Sequence, residues 1–176
     1  MTLISGSLLG CGEALGARDS GDWSSPGLSA PIDPSAPKFR KTASGALVQD
    51  LIDGQANHAE ARNGDDVLVD YVLRRANGYF IYSTVEGVSF QPRDIPTGPI
   101  RWKLNSGSLL PGLVEGLSGM RPGGKRRILV PPSAGYLSGQ ASDVEPQMPT
   151  FGTKRQLENH KSEPLIFEVV LIRIIT

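Results

Sequence analysis

Residues 109–130 constrain the fold most, because the spacing of their apolar residues changes from helical to alternating. Before the glycines, large apolar residues recur three or four positions apart: Leu109, Leu110, Leu113, Leu117 and Met120. After the Pro-Gly-Gly of residues 122–124, Ile128 and Val130 alternate as in a strand. The sequence therefore predicts a helix over residues 109–120 with Pro111 near its first turn, then a tight turn, then a strand whose basic start, residues 125–127, faces water.

The same stretch partly matches a nucleotide-binding P-loop. Gly119 and Gly124-Lys125 have the required spacing, but a P-loop also needs a hydroxyl residue after the lysine, a strand before the loop and a helix after it. Here Arg126 takes the hydroxyl position and the helix comes first. The chain has 18 basic and 18 acidic residues, which gives no net attraction for nucleic acid. The sequence thus predicts neither a nucleotide nor a nucleic-acid partner.

Other stretches have the alternation of strands. Residues 46–52 form one candidate. In the next, Val67, Val69, Tyr71 and Leu73 share a face while Asp70 and Arg74 share the opposite one. Asn77-Gly78 is a strong hairpin signal, so residues 79–84 are expected to return as the partner strand. Residues 99–104 predict a further strand.

The last predicted strand, residues 165–174, completes a sheet. Leu165, Phe167, Val169 and Leu171 should face the core, with Glu168 and Arg173 reaching solvent. The 21 glycines and 14 prolines also favour turns and short strands over a helical bundle. We therefore expect an α+β fold in which a twisted antiparallel sheet, a half-barrel, wraps one short α-helix.

The first 40 residues differ from the rest. Residues 1–15 are apolar and small and resemble the later part of a secretory or lumenal targeting peptide. Leu8-Leu9-Gly10-Cys11 also matches a lipoprotein box, which leaves a lipid anchor as an alternative. Residues 19–37 are rich in Ser, Pro and Gly, as in a linker. The predicted organisation is a targeting remnant and flexible linker over residues 1–40 and one folded domain over residues 41–176.

Residues that carry covalent or metal chemistry are few and scattered. Cys11 is the single cysteine, and the two histidines, His58 and His160, lack ligand-type neighbours at metal-binding spacing. Both histidines are expected in solvated loops. No Gly-x-Ser-x-Gly motif and no apolar run near the roughly 18 residues of a membrane span occurs. The sequence therefore predicts no cofactor, no metal and no transmembrane segment.

Six motifs follow one another over residues 64–169. They are Gly64-Asp65-Asp66-Val67 with Asp70-Tyr71, Asn77-Gly78, Leu110-Pro111-Gly112-Leu113-Val114-Glu115-Gly116-Leu117, Gly119-Met120-Arg121-Pro122-Gly123-Gly124-Lys125-Arg126-Arg127, Val130-Pro131-Pro132, and Leu165-Ile166-Phe167-Glu168-Val169. Their order resembles that of FKBP-type peptidyl-prolyl cis-trans isomerases over about residues 40–174. Residues 77–87 resemble the plastid branch of plants and algae, which implies a chloroplast protein of the thylakoid lumen.

The resemblance implies an isomerase and folding factor that acts on Xaa-Pro bonds in proline-containing segments of lumenal proteins. The implied catalytic residues are Tyr71, Ile81, Tyr82, Leu109, Leu110, Leu113, Tyr136 and Phe167, and the implied substrate-binding residues are Ile100 and Trp102. The backbone N–H of Leu110 would bind one substrate carbonyl and the hydroxyl of Tyr136 another. Gly135 and the loop after Tyr136 suggest that this tyrosine is exposed.

Three positions differ from the residues that active members of the family usually have, as the resemblance implies. Ile81-Tyr82 stands where they have Phe-Asp, Leu113 where they have Trp, and Ile100 where they have Phe. Residues 137–163 form a long polar loop that would overhang the pocket. These departures favour an alternative role, in which a weakly active or inactive binding module is an assembly factor or auxiliary subunit of a photosynthetic membrane complex.

Overall fold

The computed structural model describes residues 38–88, 91–92, 94–105, 107–137 and 144–175. Its strands are β1 (Arg40–Lys41), β2 (Leu47–Ile52), β3 (Asp66–Arg75), β4 (Phe80–Ser83), β5 (Ile100–Lys103), β6 (Lys125–Val130) and β7 (Leu165–Ile175). The helices are α1 (Pro111–Leu117) and α2 (Phe151–His160), with a 3-10 turn at Pro132–Ala134. The targeting-like stretch and Cys11 lie outside the described residues.

The strands form one open antiparallel sheet. Their order is β1-β2-β6-β7-β3-β4, and β5 pairs with β3 at residues 66–69, beyond the end of β4. This arrangement and the helices confirm the predicted α+β class. Within the described ranges, no helix is long and apolar enough to cross a membrane.

Strands β3 and β7 are neighbours in the interior of the sheet, and their alternation predicted which side chains face the core. The core faces carry the expected residues, all buried: Val67, Val69, Tyr71 and Leu73 on β3, and Leu165, Phe167, Val169 and Leu171 on β7. At the end of β3, Arg75 N–H donates to Tyr79 O and Gly78 N–H donates to Arg75 O, which closes the predicted Asn77-Gly78 hairpin. The long pairing of β3 with β7 fixes which side chains face the helix.

Helix α1 is shorter than predicted. It begins at Pro111, with Leu110 as its N-cap residue, and ends at Leu117, so Leu109 and Met120 lie outside it. The helix lies directly on β6, because a Cβ at Gly112 would meet Val130 at 2.8 Å and one at Gly116 would meet Ile128 at 2.6 Å. After the helix, the predicted turn is confirmed, with Gly123 at a φ of 82°.

The prediction that residues 125–127 face water is wrong. Arg126 is buried, and its guanidinium donates to the Asp50 carboxylate, to Gly116 O at 2.7 Å and to Ser118 O at 3.0 Å. It therefore binds carbonyl groups at the C-terminal end of α1, where a cation is favourable. On the other face of β6, Lys125 and Arg127 pair with Glu168. We call these three cations with Asp50 and Glu168 the basic network.

Two other charged side chains are buried against expectation. Glu168 lies between Lys125 and Arg127 instead of reaching solvent, because β7 is an inner strand with β6 beside it. Arg74 lies over the ring of Phe80, 5.9 Å from its centroid, and donates to Gly78 O at 3.4 Å. Arg173 is exposed as predicted. Alternation correctly assigned the core face of each strand, but the opposite face is only partly solvated.

The segment read as a long loop contains the second helix. Thr150 is the N-cap of α2 and forms a capping box with Thr153. Within α2, Thr153 and Leu157 are buried, and the helix contacts β4. The Glu145–Pro146 peptide bond in the stretch before the helix is cis. The part of this segment that the structure describes is therefore largely ordered around the sheet, close to the residues implied in the pocket.

Candidate active site

Four aromatic side chains from four strands meet on the core face of the sheet. Tyr71 lies at their centre, with ring centroids 5.8 Å from Tyr82, 5.0 Å from Trp102 and 6.1 Å from Phe167. These separations are typical of attractive edge and tilted aromatic pairs. The strand register explains the meeting, because Leu73, two positions from Tyr71 on the same face, pairs with both Tyr82 and Phe167. We call these four residues the aromatic cluster.

Aliphatic side chains pack around the aromatic cluster. Leu109 and Leu110 lie just before α1, and Leu113 lies in its first turn, all of them buried. Ile81 is buried on β4, and Ile100 is partly buried against the same core. The structure thus brings all ten residues implied by the sequence, including Tyr136, into or against one apolar cluster. Their roles toward a substrate stay a prediction.

Two polar atoms in the aromatic cluster have no hydrogen-bond partner among the described residues. They are the Tyr71 hydroxyl and the Trp102 indole Nε1, each in a side chain about 1% exposed. Burial, followed by the nearby Tyr136, Tyr82 and Glu145, raises the pKa of Tyr71 well above its usual value. The Tyr71 hydroxyl therefore keeps its proton. Both groups are donors enclosed by apolar walls, where most buried donors are paired.

Tyr82 does not supply an acceptor for Tyr71. Its hydroxyl donates to Pro96 O at 2.9 Å, away from the aromatic cluster, and burial raises its pKa. A carboxylate at this position, as in the family's pattern, would offer acceptor oxygens near the Tyr71 ring. Tyr82 instead contributes aromatic surface here, and the Tyr71 hydroxyl has no partner among the described residues.

Tyr136 is buried, only 2% exposed, so the predicted exposure is wrong. Its hydroxyl donates to Pro146 O at 2.6 Å, and burial, followed by Glu145, raises its pKa well above the usual value. The covering residues come from the stretch before α2, which the sequence could not position. The acceptor of the Tyr136 hydroxyl is thus a carbonyl of the same chain, and donation to a substrate stays a prediction.

The backbone N–H of Leu110 also has an acceptor from that stretch. It donates to Glu145 O at 3.1 Å, while Glu145 N–H donates to Ser108 O at 2.8 Å. Leu109 and Glu145 form an isolated parallel bridge. Both groups that were predicted to bind substrate carbonyls are therefore bound to carbonyls of consecutive residues, Glu145 and Pro146.

Residues 144–148, which we call the 144–148 segment, belong to the loop that was expected to overhang the pocket, but the sequence did not single out their contacts. Pro146 and Met148 are buried, Val144 is partly buried against the core, and Gln147 is exposed. Gln147 N–H also donates to Glu145 Oε2 at 3.0 Å, which closes a local turn. The available signal was a proline between apolar residues two positions away on either side, within an otherwise polar stretch.

The histidines lie away from this site. His58 is exposed as predicted, whereas His160 is half-buried at the end of α2, with Nδ1 3.0 Å from Glu163 Oε1, so a solvated loop is wrong for it. Among the residues that the structure describes, no group of three or more His, Cys, Asp or Glu side chains could hold a metal ion. The candidate site is thus an apolar enclosure with a few directed donors.

Comparisons with known proteins identify the family. The FKBP-type peptidyl-prolyl cis-trans isomerase family matches residues 57–172. The Arabidopsis thaliana chloroplastic peptidyl-prolyl cis-trans isomerase FKBP16-1 is 39% identical over 154 residues, covering 85% of this chain and 70% of that protein. The chloroplastic FKBP19 of the same plant is 31% identical, covering 79% of this chain and 57% of that protein.

Solved structures support the fold. FkpA from Escherichia coli matches with a TM-score of 0.52 at 22% identity, over 77% of this chain and 51% of that one. A peptidyl-prolyl cis-trans isomerase from Pseudomonas syringae matches with a TM-score of 0.52 at 23% identity, over 81% of this chain and 84% of that one. The family match, which covers more than half of the chain, and the plant relatives carry the assignment further: the chain belongs to the FKBP-type peptidyl-prolyl cis-trans isomerase family.

Proposed function

We propose that this chain catalyses cis-trans isomerisation of Xaa-Pro bonds in proline-containing protein segments, at the site formed by the aromatic cluster, Leu110 and Tyr136. One observation carries the proposal. The Leu110 N–H and the Tyr136 hydroxyl bind the carbonyls of two consecutive residues, Glu145 and Pro146, beside apolar walls. An Xaa-Pro segment therefore fits these two donors.

Rotation about an Xaa-Pro bond has a barrier of roughly 20 kcal/mol, because the planar amide is stabilised by resonance. At the twisted geometry this resonance is lost, and the amide is less polar than in either planar state. An apolar enclosure therefore disfavours the planar states more than the twisted one. Binding that is stronger at the twisted geometry lowers the barrier without a covalent intermediate.

Each part of the site has a role in this mechanism. Leu110 N–H and the Tyr136 hydroxyl each bind a carbonyl of the peptide, as they bind those of Glu145 and Pro146, and this orients the segment. The rings of Tyr71, Trp102 and Phe167 exclude water from the proline. The Tyr71 hydroxyl and Trp102 N–H, which have no partner in the described part of the chain, are donors available to a carbonyl or nitrogen lone pair that is exposed as the bond twists.

We place this activity in the chloroplast, within the thylakoid lumen. The support is that two relatives bear the name chloroplastic and that residues 1–40 resemble a lumenal targeting peptide and linker. Import of the radiolabelled chain into isolated chloroplasts tests the location. Protection from protease inside intact thylakoids is expected, and recovery in the stroma would contradict the lumenal assignment.

A peptide isomerisation assay tests the activity. The native chain should accelerate cis-to-trans relaxation of an Xaa-Pro peptide in proportion to its concentration. Phe167→Leu should lower kcat/KM by about three- to tenfold, because a buried aromatic wall is lost. Ile172→Ala, on the same strand but partly exposed, is the matched control and should leave the rate unchanged. Equal loss in both variants at equal folded fraction would contradict the site.

A second candidate function is a binding module that acts as an assembly factor or auxiliary subunit of a photosynthetic membrane complex. The observation that favours it is the engagement of both peptide-binding donors by the chain itself. The size of the native particle distinguishes the two. Isomerase activity in a free monomer supports the first function. An inactive chain that migrates with a large membrane complex supports the second.

A further inference from the structure

We propose that the 144–148 segment is an internal competitive ligand of the candidate active site, so that a substrate binds only when these residues leave it. The inference rests on the proposed function, because it concerns regulation of the same peptide-binding groups. It adds an inhibitory element that lies within the chain, and it defines the substrates able to displace that element.

The contacts of the segment are those expected of a bound peptide. Leu110 N–H binds Glu145 O, Ser108 O binds Glu145 N–H, and the Tyr136 hydroxyl binds Pro146 O. The first two bonds are of the kind that joins neighbouring strands, as the Leu109 and Glu145 bridge indicates. Proline-containing backbone is thus added beside residues 108–110 by main-chain hydrogen bonds, as in strand-addition modes of peptide recognition.

These contacts are incompatible with a second peptide in the same place. A backbone amide and a tyrosine hydroxyl each have one hydrogen to donate. Each donates it to the segment at a short distance, 3.1 Å for Leu110 and 2.6 Å for Tyr136. Pro146 is itself buried, and its carbonyl accepts the Tyr136 hydrogen. A substrate that uses these groups therefore competes with the segment for both donors.

Such competition has a defined kinetic signature. The apparent affinity equals the intrinsic affinity multiplied by the fraction of molecules whose site is open. The rate at which a bound substrate isomerises is unaffected. Occupation by the segment should therefore raise KM and leave kcat unchanged. A purely structural role of residues 144–148 would not produce this separation, because loss of folded protein lowers the apparent kcat and leaves KM unchanged.

The segment also indicates which substrates displace it. Its sequence is Val144-Glu145-Pro146-Gln147-Met148, in which Met148 is buried, Val144 is partly buried and Gln147 is exposed. A competing chain must offer similar burial at the same positions. The preferred substrates are therefore peptides with one apolar residue two positions before a proline and another two positions after it.

The test is a pair of substitutions at two prolines of the same stretch. Pro146→Gly removes the buried ring, and Pro149→Gly makes the same chemical change at an exposed position. With an apolar-x-Pro-x-apolar peptide, Pro146→Gly should lower KM about tenfold at unchanged kcat, equivalent to about 1.4 kcal/mol. Pro149→Gly should match the native chain. An unchanged KM in a folded, active Pro146→Gly variant would overturn the inference.

Amide NMR of the unmodified chain provides a second test that does not depend on variant folding. Titration with the same peptide should shift the Leu110 amide together with those of Glu145 and Gln147, because the segment leaves as the peptide binds. A Leu110 shift without change at Glu145 and Gln147 would overturn the inference, as would peptide binding without any shift at Leu110.

A third experiment distinguishes failure of the proposed isomerase function from failure of the internal-ligand proposal. A peptide with the sequence of residues 144–150, added in trans, should bind Pro146→Gly about tenfold more tightly than the native chain. If that difference is found while no variant accelerates isomerisation, the internal ligand stands and catalysis is wrong. If the native chain is a catalyst and the difference is absent, catalysis stands and the internal ligand is wrong.

Discussion

The aromatic cluster and the basic network are both buried polar regions of one sheet, yet they differ in how their polar atoms are paired. In the basic network, Arg126 donates to one carboxylate and two carbonyls, and Glu168 receives two cations. In the aromatic cluster, the Tyr71 hydroxyl and the Trp102 N–H have no partner among the described residues. The ionic groups of the basic network thus have hydrogen-bond or ion-pair partners. Two neutral donors of the aromatic cluster have none among the described residues.

This difference separates stabilising groups from groups available to a ligand. An unpaired buried donor costs on the order of 1 to 3 kcal/mol, so such atoms are uncommon where nothing uses them. Local departures from good pairing concentrate at functional sites, where the rest of the fold stabilises them. The basic network fastens α1 to β2 and β6, and the aromatic cluster keeps donors free. We expect the two regions to respond to mutation in opposite ways.

The largest effect is expected at Arg126. Arg126→Met should lower the free energy of unfolding by about 2 to 4 kcal/mol, because Gly116 O and Ser118 O lose their shared donor and Asp50 its buried partner. Asp50 is partly exposed, which keeps the loss below that of a fully buried pair. Urea unfolding measures it. The control is Arg101→Met, which breaks an exposed pair with Asp66 and should cost less than about 1 kcal/mol. Equal losses would remove the contrast.

Alkaline pH should lower the free energy of unfolding, because ionisation of the buried tyrosines has a larger effect than titration in the basic network. The folded-state pKa values of Tyr71 and Tyr136 are raised by burial, so their contribution is full below about pH 10 and is lost as the pH rises further. Each tyrosine should lower the unfolding free energy by about 1.4 kcal/mol per pH unit in that range. Burial lowers the pKa of Lys125. This lysine therefore makes the unfolding free energy rise with pH, by less than the tyrosines make it fall.

Urea unfolding at about pH 9, 10 and 11 measures this slope. Tyr71→Phe combined with Tyr136→Phe removes both ionising groups and should give a clearly shallower decline. A decline as steep as in the native chain would show that other groups control the alkaline transition.

A smaller effect is expected from Tyr71→Phe alone. Removing an unpaired hydroxyl should leave stability unchanged or raise it by up to about 1 kcal/mol. If the hydroxyl contacts the substrate, kcat/KM should fall about two- to tenfold, the equivalent of one hydrogen bond. Parallel urea unfolding and isomerisation assays measure both. A clear loss of stability would mean that the hydroxyl has a structural partner, and the contrast with Arg126 would fail.

The smallest effect is expected from removal of residues 1–37. Neither region should depend on them, because that stretch lacks the apolar periodicity needed to form part of a core. The shortened chain should unfold cooperatively at a midpoint close to that of the full chain, as measured by thermal unfolding. Loss of cooperativity would place part of the folded domain within residues 1–37.

The elements that sequence reasoning predicted best are those with strong local signals. The alternating core faces of β3 and β7 and the Asn77-Gly78 hairpin needed no knowledge of distant residues. The burial of Arg126 and Glu168 could not be predicted in the same way. It depends on Asp50 and on the neighbouring strands, which are far away in sequence. Charged residues in alternation indicate a strand, but they do not show what covers its second face.

The candidate site shows a similar limit. The ten implied residues come together because the motifs that position them are local and ordered along the chain. Helix α2 was missed because it is polar, with Thr153 and Leu157 as its buried residues, so it has no apolar stripe to detect. The burial of Tyr136 was missed for a related reason, since it depends on the position of the 144–148 segment.

Pro111, the first residue of α1, limits how any peptide can be aligned at the site. The Ser108 N–H donates to Asn105 Oδ1, the Leu109 N–H donates to Asn105 O, and Pro111 has no N–H to donate. Leu110 is thus the one residue of 108–111 whose amide is directed to a neighbouring peptide. Among residues 108–111, a peptide along this edge can therefore receive a main-chain hydrogen bond only from Leu110.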